Sequence, residues 1–322
     1  MKKVSVIIPC FNATKYLPKC FMSLVQQTIG IDQIELIFVD DASTDEDATW
    51  NMLQEFERAY PESIKILKLE ENMRQGGARN VALQYATGEY IAFVDADDFV
   101  SENFLLETYE KAKESDADII QFEYFYYTDR LGAVDSGRNI TPEVIEISSV
   151  SDRKRFLISE KVTYGCWNKL YRHTLLNEAH TAYAEHVIYE EPLFVYPLLY
   201  FANKIVILND AYYYYRQNDS GTMRNDMRQE ETLKMHADVQ LAVWNFMKKT
   251  PFFKEYYDEI KLYFLHTYLY ETLYFAKLRD FKPSYSFYKE LEKTILAEVP
   301  DYAQSTYSAL IPKQMEENGI EK

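Results

Sequence analysis

The first hundred residues repeat one pattern, and that repetition restricts the fold more than any other feature of the chain. "VSVIIP" (4–9), "IELIFVDD" (34–41), "IKILKL" (64–69) and "YIAFVDADD" (90–98) are short, β-branched apolar runs. Between them lie longer amphipathic segments, 15–28, 45–59 and 76–87, the first two opened by the capping candidates Thr14 and Ser43 or Thr44. Strands that are apolar on both faces must be covered on both faces. The alternation therefore predicts an α/β domain with a mostly parallel sheet between helix layers. Ligands of such sheets bind beyond the carboxyl ends of the strands. Polar clusters follow those ends here: "PCFN" (9–12), "DDASTD" (40–45), "NMRQGGARN" (72–80) and "DADD" (95–98).

Beyond residue 100 the pattern predicts a helix over 101–115, a strand over 118–127 and a loop or hairpin over 128–150, where Gly132, Gly137 and Pro142 fall. Helices are expected at 151–160, 169–178 and 190–202, and a strand pair at 204–217. From 226 onward the pattern is helical, in three long segments broken near Pro251 and Pro283. Tyr263, Phe264, Tyr268, Tyr270, Tyr274 and Phe275 recur there at spacings that place several of them on one helical face, as core or as a homodimer contact. His266 falls among them and is read as core.

With 322 residues, 47% of them hydrophobic, the chain can bury one large core or two modest ones. Its formal charge of −16 argues against a nucleic-acid partner, because phosphate contacts need a concentrated basic face. A small phosphorylated ligand held through a metal is compatible with that charge. Cys10, Cys20 and Cys166 have neither metal spacing nor a paired framework, which suits a reducing compartment. "MKKVSVIIPCFN" reads as a first strand and not as a signal segment, and no run of 18 apolar residues occurs. The expected location is the cytoplasm.

No GxGxxG follows the first strand and no GxxxxGK[ST] occurs, which leaves out the usual dinucleotide and P-loop signatures. "DADD" has two readings. One of its aspartates caps the helix that begins near Ser101, or Asp95, Asp97 and Asp98 hold a hard cation whose charge offsets their mutual repulsion. "DDASTD" is ordinary capping chemistry, yet Asp40 and Asp41 precede the cap and can accept from a base N–H. Arg79 and Asn80 belong to the first turn of a predicted helix, Arg79 as a surface residue or as an anion contact. In "YEEPLF" (189–194), Glu190 and Glu191 precede a proline suited to a helix start, so they are helix-terminal acids or a catalytic pair.

Seven motifs in order, "VSVIIPCFN", "FVDDASTD", "NMRQGGARN", "YIAFVDADD", "WNKLYR" (167–172), "YEEPLF" and "YYYYRQNDSGT" (212–222), resemble those of inverting family 2 glycosyltransferases of the GT-A fold. The resemblance covers residues 4–222 and implies a GT-A domain over 1–222, with a nucleotide-binding half (1–100), an acceptor half (101–222) and a separate helical region at 223–322. Ala42 stands where the family often has glycine, a change expected to matter little. Glu191 stands where it usually has aspartate.

What the resemblance implies is sugar transfer from a nucleotide-sugar donor to a glycan or lipid-linked glycan acceptor in cell-surface polysaccharide assembly, in the cytoplasm or at the inner face of the membrane. Pro9, Phe11 and Asn12 would line the base pocket, and Asp41, beside Asp40, would accept from the base and favour a UDP-linked donor. Arg79 would face the diphosphate. Asp95 would reach the ribose or the metal, Asp97 would bind Mn²⁺ or Mg²⁺, and Asp98 would be a further ligand or a cap. Glu191 would be the general base, with Glu190 as the alternative. Two other classes fit parts of the pattern: a non-catalytic nucleotide-sugar binder and a sugar-phosphate nucleotidyltransferase. The latter more often carries a glycine-rich basic first loop, which "PCFNATKY" lacks.

Overall fold

The computed structural model describes residues 2–217, 230–304 and 307. Its backbone forms two compact units, Met1–Phe156 with Glu160–Asn218, and Leu157–Ser159 with Asp219–Lys322. The last residues of the "YYYYRQNDSGT" motif, 218–222, and the start of the predicted helical region at 226 lie outside the described residues.

In the first unit, β1 (Val4–Cys10), β2 (Ile34–Asp40), β3 (Ile64–Lys68) and β4 (Tyr90–Phe93) pair in parallel in the order β3-β2-β1-β4. Every residue of β1, β2 and β4 is buried, as fully apolar strands demand. The helices α1 (Leu17–Val25), α2 (Ala48–Ala59) and α3 (Arg74–Leu83) connect them. Phe21 of α1 stacks on Phe56 of α2 at 3.7 Å and both tilt against Phe38 of β2, which seals one face of the sheet. The chain runs outward from β1 to β3 on one side and returns to β4 on the other. That reversal opens a crevice between the ends of β1 and β4.

Past β4 the sheet becomes mixed. β9 (Lys169–Arg172) runs antiparallel to β4, β6 (Ile119–Thr128) antiparallel to β9, and β10 (Lys204–Arg216) parallel to β6, with the short β5 (Phe99–Val100) against β10. Two reversals leave the carboxyl ends of β6 and β10, and the amino end of β9, on the same edge as the end of β4. β7 (Gly132–Asp135) and β8 (Glu143–Glu146) occupy the predicted loop region, and α4 (Phe104–Ser115), α5 (Val150–Leu157), α6 (His173–Ala179) and α7 (Glu191–Phe201) complete the unit.

Two local expectations are corrected. The helix expected over 169–178 begins with strand β9, because Leu170 and Tyr171 bury fully between β4 and β6 before the chain turns into α6. The strand pair expected over 204–217 is one strand, β10, irregular between Ile207 and Tyr213. The capping candidates also differ: α1 and α2 begin after Tyr16 and Asp47 without side-chain caps. Ser43 and Thr44 instead tie two loops together, Asn12 N–H donating to Ser43 Oγ (3.0 Å) and Thr44 N–H to Asn12 Oδ1 (2.8 Å).

The second unit contains helices Glu230–Met247 and Tyr285–Glu298 and a long segment, Tyr257–Leu278, whose middle, Leu265–Glu271, is π-helical. Trp244 stacks on Phe264 at 4.9 Å, and Tyr263, Tyr268 and Tyr270 are buried as expected of core. His266 is largely buried, its side chain 13% exposed, and lies 3.5 Å from Glu271. Among the described residues, no helix is long and apolar enough to cross a membrane.

Candidate active site

The loops after β1, β2 and β4 and the start of α3 meet at the crevice. Asn12, Ala42 and Arg74 all have left-handed backbones there, with φ of 48°, 56° and 59°. Asn adopts this region readily; alanine does not. Phe11 is 47% exposed at the crevice edge, a ring available to a flat ligand, while Pro9 is buried in β1. Asp40 turns inward, its Oδ1 accepting from Ser43 N–H (3.0 Å). Asp41 is buried and accepts from Met73 N–H through Oδ1 (2.7 Å), so it fixes the entry to α3. Burial pushes its carboxyl up to about 6, opposed by the N–H groups of Met73 and Arg74.

The structure gives Arg79 another task than the diphosphate contact expected of it. Its guanidinium is fully buried, donating from Nη1 to Glu190 Oε1 (2.6 Å) and from Nη2 to Asp95 Oδ1 (2.7 Å). A residue of the "GGARN" helix thereby joins one acid of "DADD" to one acid of "YEEPLF". The glycine of the same helix makes this possible: a Cβ on Gly76 would lie 2.2 Å from the Ala184 carbonyl oxygen and 2.9 Å from Glu190 Cγ. Asn80 adds a two-point clasp on Tyr183, its Nδ2 donating to the Tyr183 carbonyl (3.0 Å) and its Oδ1 accepting from Tyr183 N–H (2.8 Å). Three residues of α3 thus hold segment 183–190 against the sheet.

The three aspartates separate in role. Asp98 is buried, and its oxygens accept from Tyr213 Oη (2.7 Å) and from Arg216 N–H (2.6 Å). Burial, then the charges of Asp97 and Asp95, push its carboxyl well above the carboxylate range. Tyr213 Oη also accepts from Asp95 N–H (3.1 Å), and Arg216 Nε donates to the Asp97 carbonyl (2.7 Å). β10 therefore shapes the "DADD" turn from below, a part for Tyr213 and Arg216 that no spacing in the sequence announces. Asp95 and Asp97 remain partly exposed at the crevice, Asp95 with its Oδ1 already held by Arg79. Among the described residues no three His, Cys, Asp or Glu side chains converge as a metal cage. Two partly exposed carboxylates nonetheless fit Mg²⁺ or Mn²⁺, which commonly bind through one or two carboxylates and complete their shell with phosphate and water.

The two glutamates differ sharply. Glu190 is buried and committed to Arg79. Glu191, at the start of α7, is half-buried and accepts from Cys166 N–H through Oε1 (2.7 Å). Burial, and then the neighbouring Glu190 charge, push its carboxyl up to about 7. A carboxylate poised there can take a proton at neutral pH and release it again.

A model of glycosyl transferase family 2 matches residues 5–179. The chain is 31% identical to glycosyltransferase GlyG of Streptococcus pneumoniae over 240 residues, which cover 69% of this chain and 73% of that one. It is 30% identical over 223 residues to the poly(ribitol-phosphate) beta-N-acetylglucosaminyltransferase TarS of Staphylococcus aureus, covering 69% of this chain but only 36% of TarS. It likewise covers 32% of a poly(ribitol-phosphate) beta-glucosyltransferase of Bacillus spizizenii at 29% identity. In three dimensions it matches a crystal structure of S. aureus TarS 1-349 in complex with UDP-GlcNAc, with a TM-score of 0.67, 21% identity, and coverage of 98% and 89% of the two chains.

Proposed function

The chain belongs to glycosyl transferase family 2 and has the GT-A fold; from that premise we propose that it moves a sugar from a uridine diphosphate sugar to a hydroxyl of a cell-surface glycan or polyol-phosphate polymer, inverting the anomeric centre. The observation that carries the reading is the division of labour between Glu190 and Glu191. One glutamate is neutralised by a buried arginine, while the other stands half-open with its pKa about 7. The names of the relatives support a polymer acceptor, and the TarS complex supports a UDP-linked donor.

In this reading the nucleotide occupies the crevice between the ends of β1 and β4, its base beside Phe11 and Asn12 and within reach of Asp41. Asp97, with Asp95, would hold Mg²⁺ or Mn²⁺ together with the diphosphate. When bound, that cation supplies Lewis-acid stabilisation of the charge on the leaving diphosphate. Arg79 keeps Asp95 in place and Glu190 silent. The acceptor hydroxyl oxygen bonds to the anomeric carbon, its proton goes to Glu191, and the carbon–oxygen bond to the diphosphate breaks with its electron pair leaving on that oxygen. Attack opposite the leaving group inverts the centre in one step. Three buried free cysteines accord with a reducing, cytoplasmic setting, where nucleotide sugars are available.

A competition assay tests the donor assignment. Uridine diphosphate should bind in a Mg²⁺- or Mn²⁺-dependent way and outcompete guanosine and cytidine diphosphates. If guanosine diphosphate wins, Asp41 is removed from base reading. If Asp97→Ala leaves metal-dependent affinity unchanged in titration calorimetry, Asp97 does not hold the cation.

A further inference from the structure

One motif remains without a role in this reading, "WNKLYR", and its lysine is fully buried. Lys169 opens β9 at the crevice edge of the sheet, where Leu170 pairs with Ala92 of β4 and Lys169 itself pairs with Gln121 of β6. Its Nζ donates to Thr163 Oγ1 (2.9 Å), to the Gly165 carbonyl (2.6 Å) and to Asn168 Oδ1 (2.8 Å). An ammonium, with its three N–H donors, satisfies all three partners at once. None of these partners is charged. Burial opposes this arrangement and pulls the lysine down to about 7, with the Glu191 charge the largest influence holding it up. Among the described residues Lys169 has no ion-pair partner; a buried cation so placed is costly to keep, and a hydrophobic residue would pack there more cheaply.

What the ammonium holds is the loop 161–168. Gln121, its cross-strand neighbour, grips the same loop from β6, accepting from Thr163 N–H (2.9 Å) and donating to the Lys161 carbonyl (3.1 Å). Asn168 Nδ2 closes the loop's far end on the Phe122 carbonyl (3.2 Å). The free product of this clamping is one main-chain N–H, that of Cys166, which donates to Glu191 Oε1 (2.7 Å). We propose that Lys169 is a positioning residue for Glu191: from the start of β9, beside β6, it fixes loop 163–166 so that the Cys166 N–H orients the carboxylate that receives the acceptor proton. The proposal rests on the reading of Glu191 as the base.

The experiment compares wild type, Lys169→Met, Lys169→Arg, Glu191→Gln and the Lys169→Met/Glu191→Gln double variant, with UDP-N-acetylglucosamine as donor probe, poly(ribitol phosphate) as acceptor and acceptor-dependent UDP release as readout, alongside hydrogen exchange of the full chain. Lys169→Met should accelerate exchange over 161–168 while leaving β1 and β2 protected. It should lower kcat by about 10²-fold with donor KM unchanged, the order of loss that misplacing a reacting group produces. Lys169→Arg, which keeps charge and donors, should recover part of that loss. In the Glu191→Gln background Lys169→Met should slow the reaction no further, since it acts only through Glu191. Multiplying losses, or unchanged exchange over 161–168, would overturn the proposal. If Lys169→Met does not fold, Thr163→Ala removes one acceptor and enters the same comparison with a smaller loss. An active Glu191→Gln enzyme overturns the base reading itself, whereas an inactive Glu191→Gln beside a normal Lys169→Met overturns only this inference.

Discussion

At the scale of single residues, the site depends on how a few acids are neutralised. Glu191→Gln should reduce turnover by roughly 10²–10⁴-fold with donor affinity near wild type, because a base touches the acceptor hydroxyl and not the nucleotide. Glu190→Gln should behave differently. It leaves Arg79 buried with a weakened partner, so its main effect should be on stability, seen as a lower Tm, toward the roughly 3–5 kcal/mol that breaking a buried ion pair removes. The pH dependence has a definite sign. Glu191 acts as a carboxylate, and its carboxyl is raised to about 7. Turnover should therefore climb as pH rises through about 7, and the Glu191→Gln variant should lose that rising limb in a pH–rate profile. Ala42 carries a correction: with φ of 56° it sits where glycine is at ease, so the substitution is not neutral. Ala42→Gly should raise stability by about 1 kcal/mol in chemical denaturation, and a loss of stability there would contradict the strain.

At the scale of elements, much of the first hundred residues was legible because β1, β2 and β4 are apolar throughout and only a covered parallel sheet can hold them. The "DADD" and "YEEPLF" acids were visible as clusters. Their partition was not, because it depends on Arg79, Tyr213 and Arg216, which reach them from α3 and from β10, more than a hundred residues away for Asp98. The same reason hides β9: a four-residue strand beside helix α6 has a helical period, and only its burial between β4 and β6 makes it a strand. The glycines of "NMRQGGARN" give no hint of their use in the sequence, whereas in the structure Gly76 serves close approach of the 184–190 segment. Gly76→Ala should thus displace Glu190 and loosen the Arg79 pair, measurable as a fall in Tm with transfer reduced in parallel. A variant of wild-type stability and activity would show that the segment can yield.

At the scale of the whole molecule, the chain is acidic, at −16, yet is read as handling phosphorylated donors and a polymer acceptor. The two facts are compatible if phosphate is met by a bound cation and by local donors at the crevice and not by a basic surface. The helical unit of residues 230–304 has its own aromatic core around Trp244 and Phe264, and its sequence contains no motif that assigns it a task. The central claim is transfer with inversion, and the anomeric configuration of the product tests it most directly. Full-length protein is incubated with an α-linked UDP-sugar, Mn²⁺ and a poly(ribitol phosphate) acceptor, and the product is read by proton NMR through the anomeric coupling. The account predicts a β-linked product formed in step with UDP release. An α-linked product, or tight UDP-sugar binding with the donor recovered intact across glycan and polyol-phosphate acceptors, would contradict it.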